Sequence, residues 1–272
     1  MNVEKTLANI MLRMERHYFG KYRGFVVDNN DPSHLGRLKL KVPSVLGNDV
    51  VTGWALPCAP YGGDANHGAL FIPEQNAGVW VEFEEGDLEF PIWVGTFWSS
   101  PSGNSELPKT NAADGKEDGS VQSPPTRKII KTKKGHTLQF EDKDNEELVL
   151  LYEATNKHTL KFNADGIKIT DSAHKHDIEM SSSGITVTDG TNKNTITLDS
   201  NGMKLETQAG AKIEFNATGI TVDAGSGILT LTGTLIKIGD GAMPAVRMGD
   251  SGVGNMGAPV PITVVSNTKV LI

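Results

Sequence analysis

The second half of this chain repeats itself every 17 to 18 residues. Matching segments such as "HTLKF" and "HDIEM" recur at steps of 18, 18 and 17 residues in the later units, with starts at His136, His158, His176, Asn194 and Ala211. Each of the later units has a second segment introduced by glycine, at Gly166, Gly184, Gly202 and Gly219. A fixed period of this size is typical of an array in which every unit adds the same small structural element.

Apolar residues alternate strictly within each unit, as in Leu160 and Phe162 or Ile167 and Ile169. This period of two predicts β-strands. Burying four such side chains contributes about 6–12 kcal/mol, whereas ordering about 18 backbone units costs about 1–2 kcal/mol each. One chain therefore has too little to bury. We expect several chains to intertwine so that their apolar rows meet on a common axis, with threefold closure giving a triangular prism that has no free sheet edge.

The rest of the chain divides by composition. Residues 1–19 carry Val3, Leu7, Ile10, Met11 and Met14 at the spacing of an amphipathic helix, which could pack on its own domain, on its symmetry mates or on another protein. Residues 20–98 contain about five short alternating strands, the number in a small barrel. Residues 99–126 are polar and rich in Ser, Gly and Pro, which predicts a linker or an extended strap. The array spans residues 127–240, and residues 241–272 form its tip. The expected fold is all-β apart from the N-terminal helix.

Charge and cysteine content restrict the possible partners. The 26 basic and 33 acidic residues leave a net charge of −7, which argues against binding to nucleic acid or to an anionic membrane. The single cysteine, Cys58, cannot form an intrachain disulfide. The first residues lack the pattern of a signal peptide, so we expect assembly in the host cytoplasm.

A family resemblance is carried by a series of motifs with matching spacing. They are Asn-x-Asp-Pro, Gly-Arg followed by Pro, a tryptophan strand, a Gly-x-Val-x-Val-x-Phe-x-x-Gly-Asp strand and Pro-x-x-x-Gly, at Asn29–Pro32, Gly36–Pro43, Trp54, Pro73–Asp87 and Pro91–Gly95. Their order resembles the OB-fold domain of the central spike proteins of contractile injection machines. These include phage baseplate assembly protein V, tail-lysozyme-type spikes and type VI valine-glycine-repeat spikes. The segment Lys128–Asp142 resembles the start of that family's β-helix, and the resemblance covers roughly residues 20–250.

The resemblance implies a non-enzymatic homotrimer in the tail baseplate of a virion. Such a spike is attached to the tail hub and is driven through the target's outer membrane when the sheath contracts. A phage, a phage-derived extracellular particle and a type VI system all remain open. The chain departs from the tail-lysozyme type, because only the 28 residues of the linker separate the two domains and these are too few for a glycosidase. Residues Pro244–Asp250 faintly resemble a PAAR-type tip, but no His or Cys follows His176, so a reduced tip, or a separate tip protein, is expected.

Several chemical sites were considered and none is predicted. His174 and His176 form a His-x-His motif that three chains could turn into an octahedral metal site, but His176 occupies a repeat corner that Asn194 and Ala211 fill elsewhere. We therefore expect corner histidines, with no metal, cofactor or catalytic residue. The acidic segments Glu82–Asp87 and Phe140–Glu147 are expected to be solvated rather than to supply paired catalytic acids.

Nucleic-acid binding is the remaining alternative that an OB-like barrel suggests. Trp54, Trp80, Trp93 and Trp98 could stack on bases, as in barrels that bind single strands. The acidic segment around Trp93 would repel phosphate, so this function is not expected. DNA binding that weakens with salt would revive it, and clearing of peptidoglycan in a zymogram would revive a hydrolase.

Overall fold

A computed structural model describes residues 4, 5, 7, 10, 11, 17–112, 114–118, 124–232, 251–253 and 259–261. The chain forms two compact units, Met1–Lys109 and Thr110–Ile272. The division falls inside the segment 99–126 that the sequence marks as a linker. Within the described residues, no helix is long and apolar enough to span a membrane.

The first unit is a curled, OB-like half-barrel of five strands. Its order is β2-β1-β4-β5-β3, and only β3 and β5 run parallel. A short bridge between Leu38 and Ala55 adds a further antiparallel contact, with Leu38 N donating to Ala55 O at 3.0 Å. The elements are β1 (Tyr22–Asp28), β2 (Lys39–Lys41), helix α1 (Pro43–Leu46), β3 (Leu56–Pro57), β4 (Gly78–Phe83) and β5 (Pro91–Thr96), with single 3₁₀ turns at Glu84–Gly86 and Pro101–Gly103.

Alternation within β4 shows how the sequence builds the core of this unit. Val79, Val81 and Phe83 are buried, whereas Trp80 and Glu82 on the other face are only half-buried. The alternation of the sequence thus divides the side chains of β4 between the core and the outer face. The buried residues pack with Val26, Leu38, Leu40, Val42, Ala55 and Trp93.

The second unit contains one sheet of eleven strands, β8 to β18, in sequence order. Every neighbouring pair is antiparallel. The predicted strands of the repeat are confirmed. Their bounds are β8 (Arg127–Lys131), β9 (Thr137–Glu141), β10 (Leu148–Tyr152), β11 (Thr159–Asn163), β12 (Gly166–Asp171), β13 (His176–Ser181), β14 (Gly184–Asp189), β15 (Asn194–Asp199), β16 (Gly202–Glu206), β17 (Lys212–Asn216) and β18 (Gly219–Asp223).

The meander corrects one expectation from the sequence. We expected several chains to intertwine along the array, yet from β8 to β18 each strand pairs with its neighbours in the same chain. The physical reason is that tight turns join consecutive strands, so the backbone ladder is completed locally. Partner chains are needed only to cover side chains, not to complete the ladder between these strands.

Turns of the long sheet lie along two opposite edges. At the histidine edge, turns end at His136, His158, His176 and the equivalent Asn194 and Ala211. At the glycine edge, turns end at Gly166, Gly184, Gly202 and Gly219, preceded by the turn at residues 142–147. A Cβ on Gly166, Gly184 or Gly202 would lie 1.9–2.0 Å from a carbonyl oxygen of the next strand, so the recurring glycine is required by close strand approach.

Part of the predicted linker is folded onto the long sheet. Strands β6 (Thr110–Asn111) and β7 (Glu117–Asp118) form a hairpin, called the strap below, that pairs antiparallel. The Asn111 side chain is buried, and a Cβ on Gly115 would meet the Tyr152 ring at 2.6 Å. The strap therefore covers part of the polar face of the first strands.

The two ends of the chain are described only in part. Glu4, Lys5, Leu7, Ile10 and Met11 are helical and exposed, while the other residues up to 16 lie outside the described residues, so the N-terminal helix stays a prediction. Residues 17–19 are not helical, which corrects the predicted end at residue 19. In the expected tip, β19 (Ser251–Val253) pairs with β20 (Pro259–Pro261). The remaining tip residues, including Pro244–Asp250, lie outside the described residues.

Candidate functional site

The largest candidate site is the apolar face of the long sheet. Side chains on this face align across strands into two rows. One row is aliphatic throughout: Ile130, Leu138, Leu151, Leu160, Ile169, Ile178, Val187, Ile196, Leu205, Ile213 and Val222. The other row mixes aliphatic, phenylalanine and methionine side chains after an initial lysine: Lys128, Phe140, Val149, Phe162, Ile167, Met180, Ile185, Leu198, Met203, Phe215 and Ile220.

This apolar face is open in a single chain. From β11 to β17, eleven of its large side chains are each 36–44% exposed: Phe162, Ile169, Ile178, Met180, Ile185, Ile196, Leu198, Met203, Leu205, Ile213 and Phe215. On β18, Ile220 and Val222 are more exposed still. A contiguous apolar surface of this extent marks an interaction site, because monomeric proteins rarely expose one.

The opposite face of the sheet is polar and is buried only near its start. There, Thr137, Gln139, Glu141 and Leu150 are buried. Asn111 of the strap contacts Thr137 and Gln139, and Glu141 pairs with Arg127. Further along, partly exposed ion pairs such as Lys168–Glu179 (3.0 Å) and Lys212–Glu214 (3.3 Å) occupy this face. The sheet therefore has one face suited to water and one suited to another apolar surface.

The repeat-corner histidines each lie beside a carboxylate. His158 Nδ1 is 3.2 Å from Asp171 Oδ1, and His176 Nδ1 is 3.3 Å from Asp189 Oδ1. His174 Nδ1 lies 2.8 Å from Asp171 Oδ2. The hydrogen bond from His174, together with a backbone N–H, lowers the pKa of Asp171, and hydrogen bonds from Asn192 lower that of Asp189.

The His174 and His176 rings stack with their centroids 5.7 Å apart, but their Nδ1 atoms face different carboxylates. No group of three or more metal-ligating side chains occurs within the described part of the chain. The predicted absence of a metal remains a prediction.

The acidic segments do not form a catalytic pair. Glu82 binds Lys21, with Nζ and Oε1 2.5 Å apart, and Asp87 Oδ1 accepts a hydrogen bond from Glu89 N. In the second segment, Glu141 is buried with Arg127, so the expectation of a solvated side chain is wrong for this residue.

Three of the four tryptophans are engaged within the first unit. Trp93 is buried, and its Nε1 donates to Gly36 O at 3.1 Å. Trp54 packs against Lys39 and Arg37, and Trp80 packs against Arg23 and Phe97. Only Trp98 is largely exposed, so the tryptophans do not form a continuous platform for bases.

The Asp-Pro and Gly-Arg motifs form a structural clamp. The buried Asp31 carboxylate accepts hydrogen bonds from the backbone N–H groups of Ser33, Leu35 and Arg37, and two more from the Arg37 side chain, with Arg37 Nη2 2.7 Å from Oδ1. The Arg37 guanidinium holds the pKa of Asp31 well below its usual range. These residues fold one loop of the half-barrel and present no reactive group.

Fold and candidate site together define a mostly β protein with a half-barrel unit and a long sheet that has one open apolar face. Residues 22–98 match the family model of the type VI secretion system/phage-baseplate injector OB domain, and residues 188–244 match that of the phage baseplate V C-terminal trimerisation domain. The chain belongs to the central spike protein family that these two domains define. No curated protein shows a significant match to it.

The trimerisation match begins within β14 and extends past β18, where the apolar face is most open. This domain supports a homotrimer.

Sequence reasoning missed two groups of residues. The contact between the strap and β9 depends on Asn111 and Gln139, which lie 28 positions apart and carry no local motif. The second group is the lysines that precede the repeat starts, Lys157, Lys175 and Lys193, all with positive φ. Their period of 18 was visible in the sequence and could have identified them.

Proposed function

We propose that three copies of this chain form the central spike of a contractile phage tail, a mechanical rather than catalytic part of the virion baseplate. Sheath contraction drives the needle through the outer membrane of the host. The first unit and the N-terminal segment attach the spike to the tail hub. The observation that carries this proposal is the continuous apolar face of the long sheet, which a single chain leaves open.

Dimensions of the long sheet support a piercing role. Eleven strands at about 4.8 Å spacing extend about 48 Å, more than the roughly 30 Å hydrocarbon core of a bilayer. We infer that three such sheets close around an axis, with their apolar faces inward and their charged faces toward water. A closed prism resists bending, because each sheet would have to break its own ladder and separate from its neighbours.

The same architecture suits the spike of a type VI secretion system or of a phage-derived extracellular particle, and the matched OB-domain family includes type VI injectors. The genes beside this one distinguish the three machines. Capsid genes indicate a phage, effector genes without a capsid indicate a secretion system, and sheath and tube genes accompany all three.

Assembly and incorporation into tails test the proposal. Light scattering of the purified chain should give about 88 kDa, three times the chain mass of 29.2 kDa, and a monomer at all concentrations would overturn the proposal. Tails assembled without the chain should lack the spike and fail to inject DNA. Deleting residues 1–17 tests the N-terminal segment separately, since tails that still carry the spike would exclude its role in docking to the hub.

A further inference from the structure

The two edges of the long sheet carry opposite charges. Turns at the histidine edge expose five lysines, Lys133, Lys134, Lys157, Lys175 and Lys193. Turns at the glycine edge expose the acids Asp144, Glu147, Asp165 and Asp199. Among the described residues, none of these lysines or acids has an ion-pair partner.

Charges of the opposite sign at each edge are already satisfied locally. At the histidine edge, each acid lies beside a histidine of the same edge: Glu153 beside His136, Asp171 beside His158 and His174, and Asp189 beside His176. At the glycine edge, Lys143 pairs with Glu146 in the same turn, while Lys128 pairs with Asp142. The charges left to interact with a partner are therefore basic on one edge and acidic on the other.

Backbone conformation at the histidine edge adds a second observation. Lys157, Lys175 and Lys193 have φ of 62–65°, in the left-handed region, and glycine fills the equivalent position at Gly135 and Gly210. A lysine there costs conformational free energy that glycine avoids. Using lysine three times at such a position indicates that the charged side chain has a role outside the turn.

We propose that the histidine edge of each chain lies against the glycine edge of the next, forming a charged seam at each of the three corners of the prism. The inference rests on the proposed trimer. Rotation about a threefold axis makes head-to-tail contacts, so each chain presents its histidine edge to the glycine edge of its neighbour. A second copy of this chain thus supplies acids for the lysines of the first.

The positions of the charged turns along the sheet fit this arrangement. The acidic turn at residues 142–147 joins β9 to β10, between the levels of the basic turns that join β8 to β9 and β10 to β11. Likewise Asp165, between β11 and β12, lies between the levels of Lys157 and Lys175. A shift of one strand, about 4.8 Å, brings basic and acidic turns level. Exposed ion pairs are individually weak. The seam therefore contributes more to determining which edges meet, and to the rate of association, than to the stability of the trimer.

Charge reversal at each edge tests the seam. One variant carries Lys157→Glu, Lys175→Glu and Lys193→Glu, and a second carries Asp144→Lys, Glu147→Lys and Asp165→Lys. A third combines all six changes, which exchanges the charges and keeps the edges complementary. Lys161→Glu is the control, because Lys161 lies in the middle of β11 on the polar face, away from both edges.

Refolding from urea, followed by light scattering, measures trimer formation. In about 0.02 M NaCl the association rate of each triple variant should be lower than that of the wild type by about tenfold or more. In about 1 M NaCl the difference should nearly disappear, because charges are screened within about 3 Å. The variant with all six changes and the Lys161→Glu control should both associate at close to the wild-type rate.

Outcomes separate the seam from the trimer itself. If the wild type forms trimers and both triple variants associate at the wild-type rate in low salt, the proposed seam is wrong and the proposed function is unaffected. The seam is also wrong if the variant with all six changes still associates slowly while its far-UV circular dichroism spectrum matches that of the wild type. A wild-type chain that never forms trimers overturns the proposed function first.

Discussion

Gln139 binds the backbone of Asn111 as a neighbouring strand would. Asn111 N donates to Gln139 Oε1 at 2.9 Å, and Gln139 Nε2 donates to Asn111 O at 2.9 Å. Both side chains are buried, so the side-chain amide satisfies two backbone groups that water cannot reach. This contact joins the strap to β9.

Replacing Gln139 should release the strap. Gln139→Ala leaves a buried N–H and C=O of Asn111 unpaired, which should lower the free energy of unfolding by about 2–4 kcal/mol. Hydrogen exchange at the Asn111 amide and urea unfolding measure the effect. The control is Gln208→Ala in an exposed turn, and equal protection of Asn111 in both variants would contradict the role given to Gln139.

Two repeat glycines with the same backbone conformation should respond differently to alanine. Gly184 and Gly219 have φ of 135° and 138°, but a Cβ on Gly184 would lie 2.0 Å from Leu198 O, whereas one on Gly219 meets nothing within 4 Å. Both changes cost about 1–3 kcal/mol of backbone strain, and Gly184→Ala must in addition separate β14 from β15. We expect a clearly lower urea midpoint for Gly184→Ala, and similar midpoints would show that strain alone requires the glycine.

A charge on the apolar face should prevent assembly. Ile185→Asp places three carboxylates inside the trimer, where burial without partners costs several kcal/mol each. The adjacent Thr186 lies on the polar face of β14 and provides the control, Thr186→Asp. Light scattering should find monomers or aggregates for Ile185→Asp and trimers for Thr186→Asp, and a stable Ile185→Asp trimer would exclude this face as the interface.

The Asp31 clamp should make the first unit sensitive to acid. Because Arg37 lowers the pKa of Asp31 from its ordinary 3.8, the carboxylate stabilises the fold at pH values above about 4, and this stability is lost as the pH falls through the lowered pKa. Asp31→Asn should lower the midpoint of thermal unfolding at pH 7 by about 5 °C or more. Between pH 4 and pH 2, this variant should lose less stability than the wild type does. Tryptophan fluorescence monitors the unfolding of the first unit, because all four tryptophans lie in it. Asp28→Asn, at the end of β1 where the carboxylate accepts only a local hydrogen bond from Asn30 N, should leave the acid response as in the wild type.

Changing His174 and His176 together to Asn should have little effect. Both side chains are substantially exposed, at 68% and 45%, and asparagine already serves at the equivalent corner Asn194. The variant should still form a trimer, and its melting temperature should stay within about 3 °C of the wild-type value. Elemental analysis of the wild type should find no stoichiometric iron or zinc. A bound metal, or a large fall in melting temperature, would identify the pair as a ligand set.

The sequence by itself determined the strands of the repeat and the residues on each face. Alternation of side chains such as Ile178 and Met180 with Asp177 and Glu179 is a local property, and the glycines at Gly166 and Gly184 mark turns in the same local way. The motif around Asp31 and Arg37 was equally visible, because its contacts lie within six residues.

Only the tertiary structure decided how those strands pair and what covers them. Pairing of each strand with its neighbours in the same chain depends on turn geometry, which the apolar pattern of Ile178 or Ile185 does not specify. Gln139 is buried against a strap that comes from a segment with almost no apolar side chains. Asn111 and Gln139 meet through a long-range hydrogen bond between polar groups, and such a contact leaves no periodic trace in the sequence.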